Sequence, residues 1–336
     1  MKQNFRLVVC MSLLVVLAGP VFAQKKVVTI KLASIVPENT PWGMALTKLA
    51  RDWSTVTNGE VELKVYHNGV AGSEQDVLRK LKQNQIQAGV FSSVGMSTIS
   101  SKIMTVSSPF LIRTDAELDL VLKELKQELE QEFIDQKFQP LTWALAGWVK
   151  FFSRSPVFVP ADLKKQKVGT ASDQPELMQT FKTMGYQMVP VELNEVLISL
   201  NSGMIDAVYQ SPLAAGGFQF FGIAKNMASI NLAPMMGSII INQRGWRAIP
   251  DQYKDKLLEL GGQLSKDMNT SILKLEADAI ATMLNYGLII NSVSPEQTQL
   301  WYTDVEQAMP RLLGKTFDRE LYGKIQTLLG NYRNRR

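Results

Sequence analysis

The fold is decided by a stretch that begins Val27-Val28-Thr29-Ile30-Lys31-Leu32-Ala33, a run of β-branched and apolar residues typical of a strand. Two further strand-like runs follow, at 61–66 and 89–91, and each is preceded by an amphipathic segment with apolar residues at helical spacing. This order of strand, helix, strand, helix, strand predicts a parallel sheet. The loops that follow its strands should gather at one end of the sheet.

A second series of strands and helices occupies the rest of the chain. We predict strands near 141–146, 167–170, 188–191, 207–209, 238–242 and 288–290, and helices near 114–133, 175–184, 195–201, 250–286 and from 294 onward. The long helical stretch contains Gly261-Gly262, which we expect to interrupt it. The fold class is therefore α/β with two lobes. Because no flexible linker separates the lobes, we expect a cleft between them.

The composition argues against several classes of protein. The 336 residues are 46% hydrophobic, which excludes disorder, and the net charge of +5 is mild, which does not favour nucleic-acid binding. One cysteine and one histidine leave little material for disulfides, metal sites or histidine-based acid–base chemistry. The chain ends in a basic cluster, Arg333-Asn334-Arg335-Arg336, which we expect to be a solvated tail.

The N-terminus has the pattern of a secretory signal. Lys2 and Arg6 precede an apolar run over residues 7–18, and small or β-branched side chains follow at Val21 and Ala23. We expect residues 1–23 to be cleaved off after about Ala23, which also removes Cys10. The alternative is a retained membrane anchor, but the run is shorter than the ~20 residues that a spanning helix needs.

Recognisable catalytic signatures are missing from the sequence. There is no nucleophile elbow, no glycine-rich phosphate loop and no His/Cys metal spacing. His67 precedes Asn68-Gly69, so we interpret it as a turn or surface histidine. Glu192 and Glu195 could serve a carboxylate-based hydrolase, although helix capping is the simpler explanation for them. We expect no catalytic residue, no metal and no cofactor.

Five motifs follow one another along the chain. They are Leu32-Ala33-Ser34-Ile35-Val36-Pro37-Glu38-Asn39-Thr40-Pro41-Trp42-Gly43; Gly59 to Gly69 followed by Ala71-Gly72-Ser73-Glu74; Ser108-Pro109-Phe110-Leu111; Pro160-Ala161-Asp162-Leu163-Lys164; and the pair Val191 to Val196 and Leu200 to Ala207. Each motif is weakly specific alone. In this order they resemble the substrate-binding proteins of TRAP transporters, the DctP-type family.

The resemblance implies a two-lobe periplasmic binding protein fold with a hinge and an interlobe cleft. Lobe I would comprise residues 27–147 plus about 237–270, and lobe II residues 148–236 plus about 271–336. It also implies a periplasmic receptor that closes on a small ligand and delivers it to the TRAP membrane permease subunits. A branch of the wider family acts with a periplasmic tetratricopeptide-repeat protein, which is a further partner to consider.

The sequence departs from this family where an arginine is expected to grip a ligand carboxylate. Gly169 stands at the position of that arginine, and a second arginine is replaced by Lys150, which offers a mobile point charge rather than a planar fork. Near the last ligand loop the spacing is one residue longer, so an asparagine that contacts the ligand in the family corresponds to Gln210 or Ser211.

These departures lead to a hypothesis about the ligand. Instead of an organic acid, the protein would bind a more apolar solute, because an unpaired arginine in an apolar site is costly and its loss suits such a ligand. The candidate ligand-binding residues are Asn39, Trp42, Glu74, Trp148, Lys150, Gly169, Gln210, Ser211 and Met235. Two other functions stay open at this point: a secreted hydrolase with Asp or Glu in the cleft, and a scaffold protein with a vestigial receptor fold.

Overall fold

The computed structural model describes residues 27–170 and 175–335. The predicted signal peptide and Arg336 lie outside the described residues. The strands are β1 Val28–Ala33, β2 Val61–Tyr66, β3 Ala88–Ser92, β4 Phe138–Pro140, β5 Ala144–Ser153, β6 Lys167–Thr170, β7 Gln187–Pro190, β8 Ala207–Gln210, β9 Asn226–Ala228, β10 Ala233–Asn242 and β11 Ile289–Asn291.

Helices alternate with these strands along most of the chain. They are α1 Pro41–Val56, α2 Glu74–Lys82, α3 Ser93–Ser97, α4 Ser101–Thr105, α5 Asp115–Asp135, α6 Pro160–Lys164, α7 Pro175–Thr183, α8 Val196–Asn201, α9 Pro212–Gly217, α10 Gln243–Ala248, α11 Asp251–Asn285, α12 Pro295–Leu312 and α13 Arg319–Arg333. The α/β class expected from the sequence is confirmed.

The first three strands form the parallel sheet that the sequence predicts. β1 lies between β2 and β3, with Val28 opposite Val61 and Leu32 opposite Ala88. The full strand order is β2-β1-β3-β10-β5-β8-β6-β7, with β4, β9 and β11 paired alongside. The sheet is mixed, because β10 runs antiparallel to both β3 and β5, and β5 runs antiparallel to β8.

Two strands of ten residues each, β5 and β10, connect the two lobes of the molecule. The predicted strand near 141–146 was too short: β5 begins at Ala144 and continues to Ser153, where it pairs with the second lobe. The first lobe has a core that includes Leu32, Trp53 and Ile239, and the second has a core around Phe152 and Phe220. The exact lobe boundaries given above stay a prediction.

The long helix α11 runs without interruption across this junction, so the expectation of a break at Gly261-Gly262 was wrong. A Cβ atom at Gly261 would lie 1.9 Å from the main-chain oxygen of Leu141, so glycine permits a close approach here instead of ending the helix. Farther along the same helix, Ser265 Oγ accepts a hydrogen bond from the Trp143 N–H at 2.9 Å, and Asn269 Oδ1 accepts one from the Leu145 N–H at 2.8 Å.

The C-terminal helix α13 packs against α5 and α4. Arg333 lies in this helix, so the expectation of a solvated tail was wrong for that residue. Its Nε and Nη2 donate to the two carboxylate oxygens of Glu117 at 2.8 Å each, and Nη2 also donates to the Leu111 carbonyl. Among the described residues, no helix has both the length and the apolar content that crossing a membrane requires.

Candidate functional site

A cleft of about 250 Å³ lies between the lobes, over the paired strands β5 and β10. Loops after β1, β2 and β3 form its first wall, and loops after β7 and β8 form the opposite wall. This is the end of the sheet where the sequence predicted the loops to gather. Of the nine candidate residues, the ones that line this cleft are Trp42, Glu74, Gln210, Ser211 and Met235.

The first wall is built around the start of α1. Thr40 caps this helix by accepting a hydrogen bond from the Gly43 N–H at 3.2 Å, and Pro41 occupies the first turn. Trp42 then lies in the cleft wall with its indole Nε1–H buried and without a partner among the described residues. A buried donor in this state is costly, so a ligand acceptor reaching it would gain a hydrogen bond.

Glu74 is the first residue of α2 and directly follows Ser73, which caps the helix. One carboxylate oxygen accepts from the Ser92 N–H at 2.9 Å and the other accepts from Ser92 Oγ at 3.0 Å. A Cβ atom at Gly95 would lie 1.8 Å from this carboxylate, so a larger residue there would displace the Glu74 side chain. Glu74 therefore ties the loop after β2 to the end of β3 and fixes the shape of this wall.

The opposite wall comes from the second lobe. Gln210 ends β8, and Ser211 caps α9 by accepting a hydrogen bond from the Ala214 N–H at 3.2 Å. Leu193 and Phe218 add apolar surface to the same wall. This wall therefore offers two amides, those of Gln210 and Asn194, the hydroxyl of Ser211, the carboxylate of Glu192 and hydrophobic side chains to a ligand.

The floor of the cleft contains an irregularity in the sheet. Met235 pairs with Gly147 and Met236 pairs with Leu145, so Ala146 is an extra residue and the register shifts. Such bulges bend a strand and redirect its side chains. Gly147 has a φ of +126°, and a Cβ atom there would lie 2.5 Å from Oε1 of Glu276. As a result, Ala146 and Met235 both line the cleft.

Four candidate residues do not line the cleft. Trp148 is buried, with Nε1 donating to Asp115 Oδ1 at 2.8 Å, and Asn39 is exposed beside the first wall. Lys150 donates from Nζ to Asn231 Oδ1 at 2.6 Å and to the Ser229 carbonyl at 3.1 Å. A Cβ atom at Gly169 would lie 2.8 Å from Ile205 Cδ1, so this position faces the core of the second lobe.

The electrostatic character of the cleft is unusual for a site that would hold an anion. Of the described residues that line it, none is a lysine, arginine or histidine, and the charged ones are Glu74 and Glu192. A carboxylate entering this cleft would therefore depend on neutral donors.

Two buried charged groups lie beneath the floor. Burial raises the pKa of Glu276 to about 7, against the opposing effects of its hydrogen bond from the Trp148 N–H and of Lys150. Burial also lowers the pKa of Lys150, and the nearby Glu276 partly offsets this effect. Both groups lie where α11 crosses the strands that join the lobes.

Sequence reasoning missed much of the apolar lining. Phe91, Val94 and Leu213 contribute to the cleft from three different segments, and each looks like an ordinary core residue in its own pattern. The shift in strand register at Ala146 had no recognisable signal in the sequence either. Among the described residues, no group of three or more His, Cys, Asp or Glu side chains could hold a metal ion.

Comparisons with known proteins agree with this architecture. The family model for bacterial extracellular solute-binding proteins, family 7 (DctP), matches residues 32–315. A solute-binding protein of Roseobacter denitrificans is 24% identical over 285 residues, which is 83% of this chain and 80% of the relative. The C4-dicarboxylate-binding periplasmic protein DctP of Vibrio cholerae is 21% identical over 263 residues, 78% of this chain and 79% of the relative.

Solved structures share the fold. A TRAP periplasmic solute-binding protein of Sulfurospirillum deleyianum with bound succinate superposes with a TM-score of 0.82 at 23% identity, covering 89% of this chain and 98% of that one. A TRAP periplasmic solute-binding protein of Xanthobacter autotrophicus with bound β-D-galacturonate gives 0.80 at 19% identity, with 89% and 98% covered. The two-lobe architecture is thereby confirmed, and the chain belongs to the bacterial extracellular solute-binding proteins of family 7, the DctP family.

Proposed function

We propose that the protein is the periplasmic solute receptor of a TRAP-type transporter, which binds a small molecule between its lobes and delivers it to the membrane permease subunits. The observation that carries this proposal is the cleft of about 250 Å³, whose two walls belong to different lobes. Family membership supports the same function. A ligand held by both walls would favour lobe closure, because it binds the closed arrangement better than the open one.

The ligand class follows from the side chains of the cleft. The two structures named above hold succinate and a sugar acid, whereas the described lining of this cleft has no basic side chain and two carboxylates. We therefore propose a ligand without a strong negative charge and with more apolar surface than a dicarboxylate. Trp42, Gln210 and Ser211 would supply its polar contacts.

The protein would bind its ligand without converting it. Glu74 is held by two hydrogen bonds from Ser92, an arrangement suited to shaping a wall rather than to moving protons. The relatives reported above are named as binding proteins, so the hydrolase alternative gains no support from them. A tetratricopeptide-repeat partner gains no support from these relatives either. The predicted signal peptide would direct the protein to the periplasm.

Native mass spectrometry of the mature protein from its own host tests the receptor function. We expect one ligand per chain to be retained and to be recovered chemically unchanged. Incubation with a panel of chromogenic glycosides and esters should give no turnover. Release of chromogen that Glu192→Gln abolishes would contradict the proposal and favour the hydrolase.

Titration of small solutes tests the ligand class. We expect neutral, partly apolar solutes to raise the melting temperature more than succinate or galacturonate does. Trp42→Phe should weaken that binding by about tenfold through loss of one hydrogen bond, whereas Trp246→Phe, in α10 outside the cleft lining, should not. Tight binding of succinate would refute the ligand class while leaving the receptor function intact.

A further inference from the structure

A second cavity, of about 100 Å³, lies directly beside the cleft. Residues of strands β5 to β8 and β10 and of helices α3, α4, α6, α7 and α12 line it. We call it the inner chamber. Its lining consists mainly of Val149, Phe151, Val168, Leu177, Phe181, Met188, Leu232, Ala233, Trp301, Val305 and Phe317.

The few polar atoms around the inner chamber already have partners. Tyr186 donates its hydroxyl to Asp304 Oδ2 at 2.6 Å, and the Tyr209 hydroxyl is 2.7 Å from Thr170 Oγ1. The hydroxyls of Ser93 and Ser107 are 2.7 Å apart and bond each other. An ordered water needs two to four polar partners, and the described residues present an almost entirely apolar surface to this space. The chamber therefore suits an apolar guest better than water.

The inner chamber and the cleft share two lining residues, Val94 and Met235. Met235 lies at the bulge of β10 and is only partly buried. Its unbranched side chain has several rotatable bonds, so it can move aside without a change in the backbone. The side chain of Met235 thus stands at the boundary between a partly polar cleft and a wholly apolar space.

The volume of the inner chamber limits what can enter. An engineered apolar cavity of roughly 150 Å³ in another protein holds one benzene molecule and stays dry without it. A space of about 100 Å³ that can widen by movement of one methionine would accept a single ring or a short branched alkyl group. It would not accept a long acyl chain.

We propose that the inner chamber is a subsite for the apolar end of the ligand. The inference rests on the proposed receptor function and specifies its substrate class: an amphiphilic small molecule with one compact apolar end and one uncharged polar end. The apolar end passes Met235 and packs against Phe151 and Trp301. The polar end stays in the cleft beside Gln210 and Trp42.

A pair of amides with the same polar end tests the subsite. Isothermal titration of the mature protein should show phenylacetamide binding at least tenfold more tightly than acetamide. Ala233→Leu fills the inner chamber from β10 and should bring the two affinities together by weakening phenylacetamide alone. Ala50→Leu adds the same volume in α1, outside both cavity linings, and should preserve the difference.

Several outcomes would overturn the subsite. Equal affinities of the two amides in the unsubstituted protein would do so, and so would an unchanged difference in Ala233→Leu. If Ala233→Leu does not fold, Val305→Phe fills the chamber from α12 instead. The ratio of the phenylacetamide affinity to the acetamide affinity is then measured for that variant. Crystals under xenon pressure give a second measurement: a xenon peak beside Trp301 supports the chamber, and its absence there contradicts it.

Failure of the subsite and failure of the receptor function give different results. If native mass spectrometry finds a retained host ligand without an apolar end, and the two amides bind equally, the receptor stands and the subsite falls. If the protein retains no ligand and no solute of the panel changes its melting temperature, the proposed function itself falls.

Discussion

The main-chain N–H of Trp148 donates a hydrogen bond to Oε1 of Glu276 at 2.8 Å. This contact joins β5, a strand shared by both lobes, to the second half of the long helix α11. Ser265 and Asn269 make equivalent contacts one and two turns after Gly261 on the same helix. The helix therefore accepts three main-chain hydrogen bonds from the segment around the start of β5, and it holds the junction of the lobes beneath the cleft.

The titration of Glu276 should make stability depend on pH. Burial raises its pKa to about 7 in the folded protein, from 4.5, so the neutral form is favoured by folding. The stabilisation from protonated Glu276 is fully present below about pH 4.5 and is lost as the pH rises to about 7. The free energy of unfolding should fall by up to about 3 kcal/mol over this range. The charged groups that act on it are Lys150 on β5 and Asp115 on α5.

Glu276→Gln should remove this dependence, because glutamine keeps an acceptor for the Trp148 N–H but does not titrate. Urea unfolding at several pH values between 4.5 and 7.5 measures the difference in free energy of unfolding between the two proteins. We expect the variant to gain stability relative to the parent as the pH rises. Glu259→Gln, at an exposed site on the same helix, is the control. A constant difference across this range would show that Glu276 does not titrate there.

Alanine substitutions at two adjacent glycines of α11 should change the stability of the protein in opposite directions. A Cβ atom at Gly261 would lie 1.9 Å from the Leu141 oxygen, which belongs to the backbone and cannot easily move. Gly261→Ala should therefore lower the free energy of unfolding by about 2 kcal/mol or more. No atom lies within 4 Å of a Cβ at Gly262, so Gly262→Ala should raise it by about 0.5–1 kcal/mol. Thermal unfolding of both variants tests this, and equal effects would contradict the close contact.

Arg333 should contribute to stability although it lies three residues from the C-terminus. Its guanidinium makes two hydrogen bonds to Glu117, whose side chain is 7% exposed. Burial opposes ionisation of Glu117, but the hydrogen bonds from Arg333 and the Arg113 N–H outweigh it and lower the pKa. Arg333→Met would leave that carboxylate buried without its partner, at a cost of about 2 kcal/mol or more.

Denaturant unfolding near pH 7 compares Arg333→Met with Arg335→Met, which changes an exposed arginine of the same terminus. Because the pKa of Glu117 is lowered, the contribution of the ion pair should be present above the ordinary glutamate pKa and should disappear in acid. Equal stability of the two variants at neutral pH would refute the structural role of Arg333.

Substitution of Gly169 by a larger residue should destabilise the second lobe. A Cβ there would meet Ile205 Cδ1 at 2.8 Å and Val208 Cγ1 at 3.4 Å. Gly169→Ala should cost about 1 kcal/mol or less, since the end of the Ile205 side chain can shift. Gly169→Arg would place a charge in this core and should cost about 3 kcal/mol or more. Melting temperatures test this; an arginine variant as stable as the parent would show that the side chain reaches the cleft.

Local sequence patterns were sufficient to predict the family of this protein and many of its strands and longer helices. The strand-like run at 61–66, the helices near 114–133 and from 294 onward, and the order of the first five elements could be predicted because these signals are local. The motif order likewise indicated the DctP family, which the family model confirms.

The junction of the lobes and the chemistry of the cleft depend on tertiary contacts that local sequence patterns do not show. The role of Gly261 depends on the main-chain oxygen of Leu141, 120 positions earlier in the chain. The partner of Arg333 is Glu117, which lies on a different helix. Gly169 faces the second lobe's core, and the inner chamber collects side chains from ten helices and strands, most of which look like ordinary core residues. Such contacts join residues far apart in the chain, so no local pattern of residues encodes them; they arise only when both lobes have packed.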